Sequence, residues 1–280
     1  MSNKNKKLKV TRHTESKQLS GLIFAPIFTP HKSGVSTFEP DNLDKHRIQL
    51  ELNRTKNEIV KYDGYPLDVY TDFPLFSVLI SHGQMAEKTD FNVKEADLFK
   101  ALKRKSRTTT KDELELRLNK LKRCHVEIIL NDRLGNRSRY ITTSLLLEAD
   151  WDREAKVVNV QMSKQLLGNN LPKTEFEMID LRFYLSLKTE YEKALFLFLE
   201  TMKHKDKPFI KVNFDTLCQR VAPHVSNKQE QRRKVKQALK KLQEFCLISS
   251  FKQIESSVQK IPQVQIVRNK HFEEIERIFH

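Results

Sequence analysis

The sequence predicts an α+β protein of two tandem winged helix-turn-helix domains behind a flexible basic N-terminal tail. Three features carry that prediction. Over Gln229–Phe245, Val235, Ala238, Leu239, Leu242 and Phe245 form one apolar stripe at 3.6-residue spacing, opposite a cationic face. Around it, within Phe209–Val267, stand a strand, a helix and two closing β-patterned segments. The same order of elements recurs with little residue identity, at about Gly64–Leu147 and Thr189–Val267.

The elements follow in order. Met1–Ser20 is polar, Lys-rich and aperiodic, which predicts disorder. Gly21–Pro30 is a short apolar island, His31–Pro40 a loop. Asp41–Lys61 reads as a charged helix (Leu43, Ile48, Leu52, Ile59) leading into the Gly64-Tyr65-Pro66 turn. Asp68–Ser81, rich in aromatic and β-branched residues, opens the first core. A strand near Phe91 leads into a helix through Leu98 and Leu102, with Asn92 as its cap. Asp112–Arg123 is a second helix with Leu114, Leu118 and Leu121 inward. His125–Leu130 and Tyr140–Leu147 read as strands joined by a hairpin loop that holds Arg133, Arg137 and Arg139. A strand at Lys156–Gln161 and a short helix at Met162–Leu167 precede the break at Gly168-Asn169-Asn170. Met178 and Ile179 form a short strand, and Asp180 caps the segment after it. Thr189–Met202 is a strong helix with Tyr191, Ala194, Leu195, Phe198, Leu199 and Met202 on one face. Phe209–Val212 is a strand and Asn213–Val221 a helix. The basic helix, hairpin strands near Leu247–Phe251 and Val264–Val267, and a closing helix bearing Phe272, Ile275 and Phe279 complete the chain. The domains are then 1–60 (tail and extension), 61–175 (first winged helix) and 176–280 (second winged helix).

A chain of 280 residues with a net charge of +15 attracts polyanions. Nucleic acid fits better than membrane, because no long apolar run occurs. The three cysteines, Cys124, Cys218 and Cys246, form no CxxC pair, so neither a zinc knuckle nor a disulfide framework is indicated. Cys218 and Cys246 fall in apolar stripes and read as buried thiols of a reducing compartment. No secretion signal precedes them, and a cytoplasmic location follows.

Catalytic signatures are missing. Among six glycines none precedes Lys-Ser or Lys-Thr, so no phosphate-cradling P-loop is present. No two of the nine histidines lie close enough together for a metal pair beside a nucleophilic tyrosine. Asp112, Glu113 and Glu115 are charges at a helix N-terminus rather than an acid–base pair. The sequence points to a binder without cofactor or metal, and not to an enzyme.

The candidate DNA-reading residues are Gln229, Arg232, Arg233, Lys236, Gln237 and Lys240. Arg forks onto guanine, Gln pairs with adenine and Lys holds phosphate. A solvated face normally mixes signs, whereas Lys228–Lys241 holds seven basic residues against one acidic. The equivalent Asp112–Arg123 helix has a mixed face, which fits packing or dimer contact as readily as base reading. The first domain would then hold phosphates through Lys103, Arg104, Lys105 and Arg107 and through the Arg133–Arg139 hairpin. Lys252, Lys260 and Arg268 border the second hairpin, where surface solubility explains them equally well.

Several passages resemble the theta-type plasmid replication initiators, in particular the TrfA-like branch. They are Pro66-Leu67-Asp68-Val69-Tyr70 with Pro74-Leu75-Phe76-Ser77-Val78, and Leu114-Glu115-Leu116-Arg117-Leu118 with Leu121 and Val126-Glu127-Ile128. Ser144-Leu145-Leu146, the Val158–Gln161 strand with Phe176, Ile179 and Asp180, and Lys207-Pro208 with Lys211-Val212 continue the likeness. Leu217-Cys218, Arg232-Arg233 and Val235–Leu242 complete it, so that it spans about Tyr65–Phe251. The resemblance implies an initiator that binds double-stranded repeats (iterons) at a replication origin, helps melt adjacent DNA and recruits host replication proteins such as a helicase and an initiator. It also implies a homodimer through the first winged helix. A tandem winged-helix repressor and a replication adaptor that does not bind DNA are the alternatives.

Overall fold

The computed structural model describes residues 15–19, 27–30, 47–55, 58–102, 108–131, 136–168, 176–202, 209–255 and 262–269. The chain divides into two units, one drawn from residues 1–28 and 33–186, the other from 29–32 and 187–280. Phe176–Ser186, read from sequence as the start of the second domain, therefore packs with the first unit.

The described strands open with β1 (Glu15–Leu19), β2 (Phe28–Thr29), β3 (Ile48–Thr55) and β4 (Glu58–Gly64). Two expectations are corrected here. The stretch 15–19 is not disordered; its polar backbone bonds to a partner far along the chain, which local composition cannot reveal. The helix expected over 41–61 is, from Ile48 on, an antiparallel hairpin of β3 and β4. Residues 48–53 alternate apolar and polar (Ile-Gln-Leu-Glu-Leu-Asn), and β4 buries Val60 and Tyr62 between half-buried neighbours. Period 2, not 3.6, governs the segment.

After β5 (Leu67–Asp68) comes α1 (Asp72–Ala86), which is buried nearly all round rather than along one stripe. Phe73, Leu75, Phe76, Leu79 and Ile80 are fully enclosed, and the Phe28 ring meets Phe73 edge-on at 5.0 Å. Gly83 lets this helix approach its neighbours, since a Cβ there would lie 2.7 Å from both Leu167 and Phe91. β6 (Asp90–Lys94) and α2 (Glu95–Ala101) follow. The N-cap of α2 is Lys94, with no side-chain bond, rather than the expected Asn92, because strand pairing continues through Lys94.

α3 (Thr108–Lys122) buries Leu114, Leu118 and Leu121 as the spacing predicts. Next are β7 (His125–Asn131), β8 (Arg137–Ser144), β9 (Glu148–Asp152), β10 (Val157–Gln161), α4 (Lys164–Leu167), β11 (Phe176–Asp180) and α5 (Leu181–Ser186). Asp180 Oδ1 accepts from the amides of Arg182 and Phe183, the cap read from sequence. β11 pairs with β1, and the Tyr184 hydroxyl donates to the Val69 carbonyl.

A buried ion cluster ties α1 to α3. Asp72, 0 % exposed, takes Arg117 Nη1 at 2.6 Å and Lys120 Nζ at 2.7 Å, and the Asp68 amide at 2.8 Å. Burial alone would raise the Asp72 carboxyl. The charges of Lys120 and Arg117 and the Asp68 amide outweigh it, so the group titrates below its ordinary value.

The second unit follows the expected order. α6 (Glu190–Thr201) starts at a complete capping box, with Thr189 accepting from the Glu192 amide and Glu192 reaching back. β12 (Ile210–Asn213), α7 (Phe214–Val221), α8 (Lys228–Glu244), β13 (Ile248–Glu255) and β14 (Pro262–Arg268) complete it. The closing helix with Phe272, Ile275 and Phe279 lies outside the described residues.

α8 ends in a left-handed turn: Cys246 N donates to Gln243 O at 2.9 Å and Leu247 N to Leu242 O at 3.0 Å. Cys246 carries the positive φ of 59° that this closure requires. It is exposed, contrary to its sequence assignment as a buried thiol, because the turn carries it off the apolar stripe.

Candidate nucleic-acid interface

Strand order identifies the two winged helices. In the second unit α6, β12, α7 and α8 lead into β13 and β14, and the sheet order is β12-β14-β13. In the first, α1, β6, α2 and α3 lead into a sheet of order β6-β10-β9. The duplication is therefore present, but its first copy runs through Gln161 rather than ending at Leu147. The wing of the first unit is the β9–β10 hairpin. The β7–β8 hairpin, which the sequence suggests for that wing, belongs instead to a separate sheet of order β3-β4-β7-β8.

α8 is set by local chemistry. Asn227 Oδ1 accepts from the Gln229 and Glu230 amides at 2.9 and 3.0 Å, and Val235, Ala238, Leu239 and Leu242 are buried. That leaves Gln229, Arg233, Lys236, Gln237 and Lys240 exposed on one outer face. Among the described residues Arg233 bonds within its own helix, to Glu230, and its side chain is 54 % exposed.

Arg232 differs from its neighbours. It is half-buried, its Nη2 lies 2.9 Å from Asp215 Oδ1, and its guanidinium sits 5.5 Å from the centre of the Phe214 ring. It joins α8 to α7; Lys236, though exposed, shares that ring more loosely, its Nζ 5.8 Å from the Phe214 centre. Lys234, on the opposite flank, lies over the Tyr191 ring of α6 at 5.3 Å. Arg232 and Lys234 hold the helix in place from either side.

Lys252 is exposed on β13, and Gln265 pairs it through the sheet to the exposed Lys211 of β12. Lys211 enters the sequence reading only through the resemblance and not as a DNA contact; its signal is the alternation Ile210-Lys211-Val212. Arg268 turns away from the wing surface, donating to the Leu199 carbonyl and to Glu200, because α6 packs beside the end of β14. Lys260, Arg133, Lys103, Arg104, Lys105 and Arg107 lie outside the described residues. Arg137 is exposed at 5.1 Å over the Tyr140 ring and Arg139 is half-buried, both on β8.

The first wing contrasts with this basic surface. Glu148, Asp150 and Asp152 are all exposed on β9, followed by Arg153, Glu154 and Lys156 in the turn. Asp152 Oδ1 accepts from the Glu154 and Ala155 amides, and Arg153 pairs with Glu115 of α3 while lying 5.2 Å over the Trp151 ring. The carboxylates of this wing repel phosphate, in contrast to the cationic outer face of α8.

Fold and surface together define a tandem winged-helix chain with one cationic, amide-bearing helix face. The domains 2 and 3 of RctB share this fold. One crystal structure of them aligns at a TM-score of 0.54 and 9 % identity over 89 % of this chain and 98 % of that one. A second structure of the same domains gives 0.51 and 9 % over 89 % and 97 %. The Pi initiator protein in complex with iteron DNA aligns at 0.42 and 13 % over 78 % of this chain and 100 % of that one. No family model and no curated protein sequence matches. Among the described residues no helix is long and apolar enough to cross a membrane.

Proposed function

We propose that this protein is a sequence-specific double-stranded DNA-binding initiator of plasmid replication. It binds repeated origin sites through α8, helps open the adjacent duplex and recruits host replication proteins. The observation that carries this is the outer face of α8, where Gln229, Arg233, Lys236, Gln237 and Lys240 stand exposed on a helix whose other side is anchored in the core. The sequence resemblance to theta-type initiators and the fold shared with RctB domains 2 and 3 support it.

The test has two stages. Purified protein is first footprinted on the DNA flanking its gene, where protected direct repeats are expected. A plasmid carrying those repeats but no initiator is then introduced with the gene supplied in trans. Replication supports the proposal. Footprints without replication assign the chain to the repressor class, and absence of any footprint overturns DNA recognition altogether.

A further inference from the structure

Glu230 is the one carboxylate among the seven basic residues of Lys228–Lys241. A negative charge on a face that meets phosphates carries a cost, so its placement needs a reason. It occupies the third position of α8, behind the Asn227 cap. In α6 the residue at that same position, Glu192, turns back to accept from the Lys188 and Thr189 amides. Glu230 does not close such a box. It turns forward, and both its oxygens are taken by Arg233: Nε to Oε2 and Nη2 to Oε1, each at 2.6 Å. Lys234 adds a longer contact at 3.8 Å. The forked bond lowers the Glu230 carboxyl and raises the Arg233 guanidinium, so both stay charged across the working pH range.

A guanidinium has two bidentate edges, five N–H donors in a rigid plane. With Glu230 on the Nε/Nη2 edge, the Nη1/Nη2 end remains to donate outward. Two parallel donors there match the O6 and N7 acceptors of guanine in the major groove. We infer that Glu230 is a positioning residue that aims Arg233 end-on at one guanine of each recognition site. This rests on the proposed DNA reading by α8 and adds to it a base identity and the residue that enforces it. Without the carboxylate, Arg233 is a free cation on a flexible stem that satisfies phosphates indiscriminately. The carboxylate also raises the energy of non-specific complexes by repelling phosphate, which sharpens discrimination a second way.

The experiment is selection of bound duplexes from a random 20-base-pair library by the full chain and its variants, followed by affinity measurement on the selected and on unrelated DNA. The wild type is expected to fix a guanine that R233Q releases. E230Q should lower preference for that guanine about tenfold while tightening binding to unrelated DNA. E230D keeps the charge at the helix start but shortens its arm, so it should lose the guanine preference while melting like the wild type. In an R233Q background E230Q should have no further effect on base preference at that position, although it should still tighten binding to unrelated DNA. Retention of full guanine preference by E230Q and E230D would overturn the inference and leave DNA reading intact. A wild type that enriches no sequence would overturn both.

Discussion

Replacing Asp72 by Asn removes the charge that balances two cations in the first unit. The side chain keeps its shape and its one oxygen can still accept from the Asp68 amide, while its new amide group faces the Arg117 donor that Oδ1 accepted. Breaking a buried ion pair from one side costs about 3–5 kcal/mol. Arg117 retains its fork to Glu113, with Nη2 2.9 Å from Oε1, and is 21 % exposed. Lys120, with a side chain only 5 % exposed, bears most of the loss. The expected destabilisation is therefore at the low end, about 3 kcal/mol. Trp151 is the sole tryptophan and lies in the first unit, so its fluorescence in a urea titration reports this unit selectively. Because the folded carboxyl titrates below its unfolded value, its contribution is full above the unfolded value, ~3.9, and fades as pH falls through the folded one. The gap between wild type and variant should accordingly close in acid below about pH 4. Adding Lys120→Met should recover part of the loss. A D72N midpoint equal to that of the wild type at pH 7 would refute the assignment of this cluster as a stabilising link between α1 and α3.

Three further outcomes are expected. Cys246→Gly should stabilise the second unit by about 1 kcal/mol, since it relieves a left-handed residue at the end of α8; thermal melting checks it. Cys246 should react alone with an aromatic disulfide reagent in the native protein at pH 8. Cys124 and Cys218 are enclosed, and burial chiefly pushes the Cys218 thiol up to about 11, so three thiols should appear only after denaturation. Lys236→Ala should reduce by about one the slope of log affinity against log salt, itself about −5 if six phosphates are neutralised; an unchanged slope would remove Lys236 from the contact.

The second unit was legible because its signals are local. The stripe from Val235 to Leu242 and the face from Tyr191 to Met202 each sit within one element. The first unit misled where two periods compete, as at Ile48–Lys61, whose apolar residues fit a helix loosely and a strand strictly. β9 escaped notice because Glu-Ala-Asp-Trp-Asp offers only Ala149 and Trp151 to the core side. Missing it moved the wing onto the inserted β7–β8 hairpin. At the candidate interface, the two faces of α8 followed from spacing alone. The diversion of Arg232 to Asp215 did not, because Asp215 belongs to a different helix, and the pairing is a property of packing. The forward turn of Glu230 was likewise invisible, since a glutamate three residues into a helix is ordinarily a cap.

β1 and β11 join residues 15–19 to residues 176–180, so the earliest described strand must await nearly two thirds of the chain before its hydrogen bonds can form. During synthesis the first unit is left with an open seam until Asp180 emerges, whereas the described strand pairings of the second unit all lie between Ile210 and Arg268. Non-local closure of this kind slows folding. The half of the molecule that is made first is thereby the half that waits, and removal of residues 1–19 would leave β11 without the neighbour that closes its sheet.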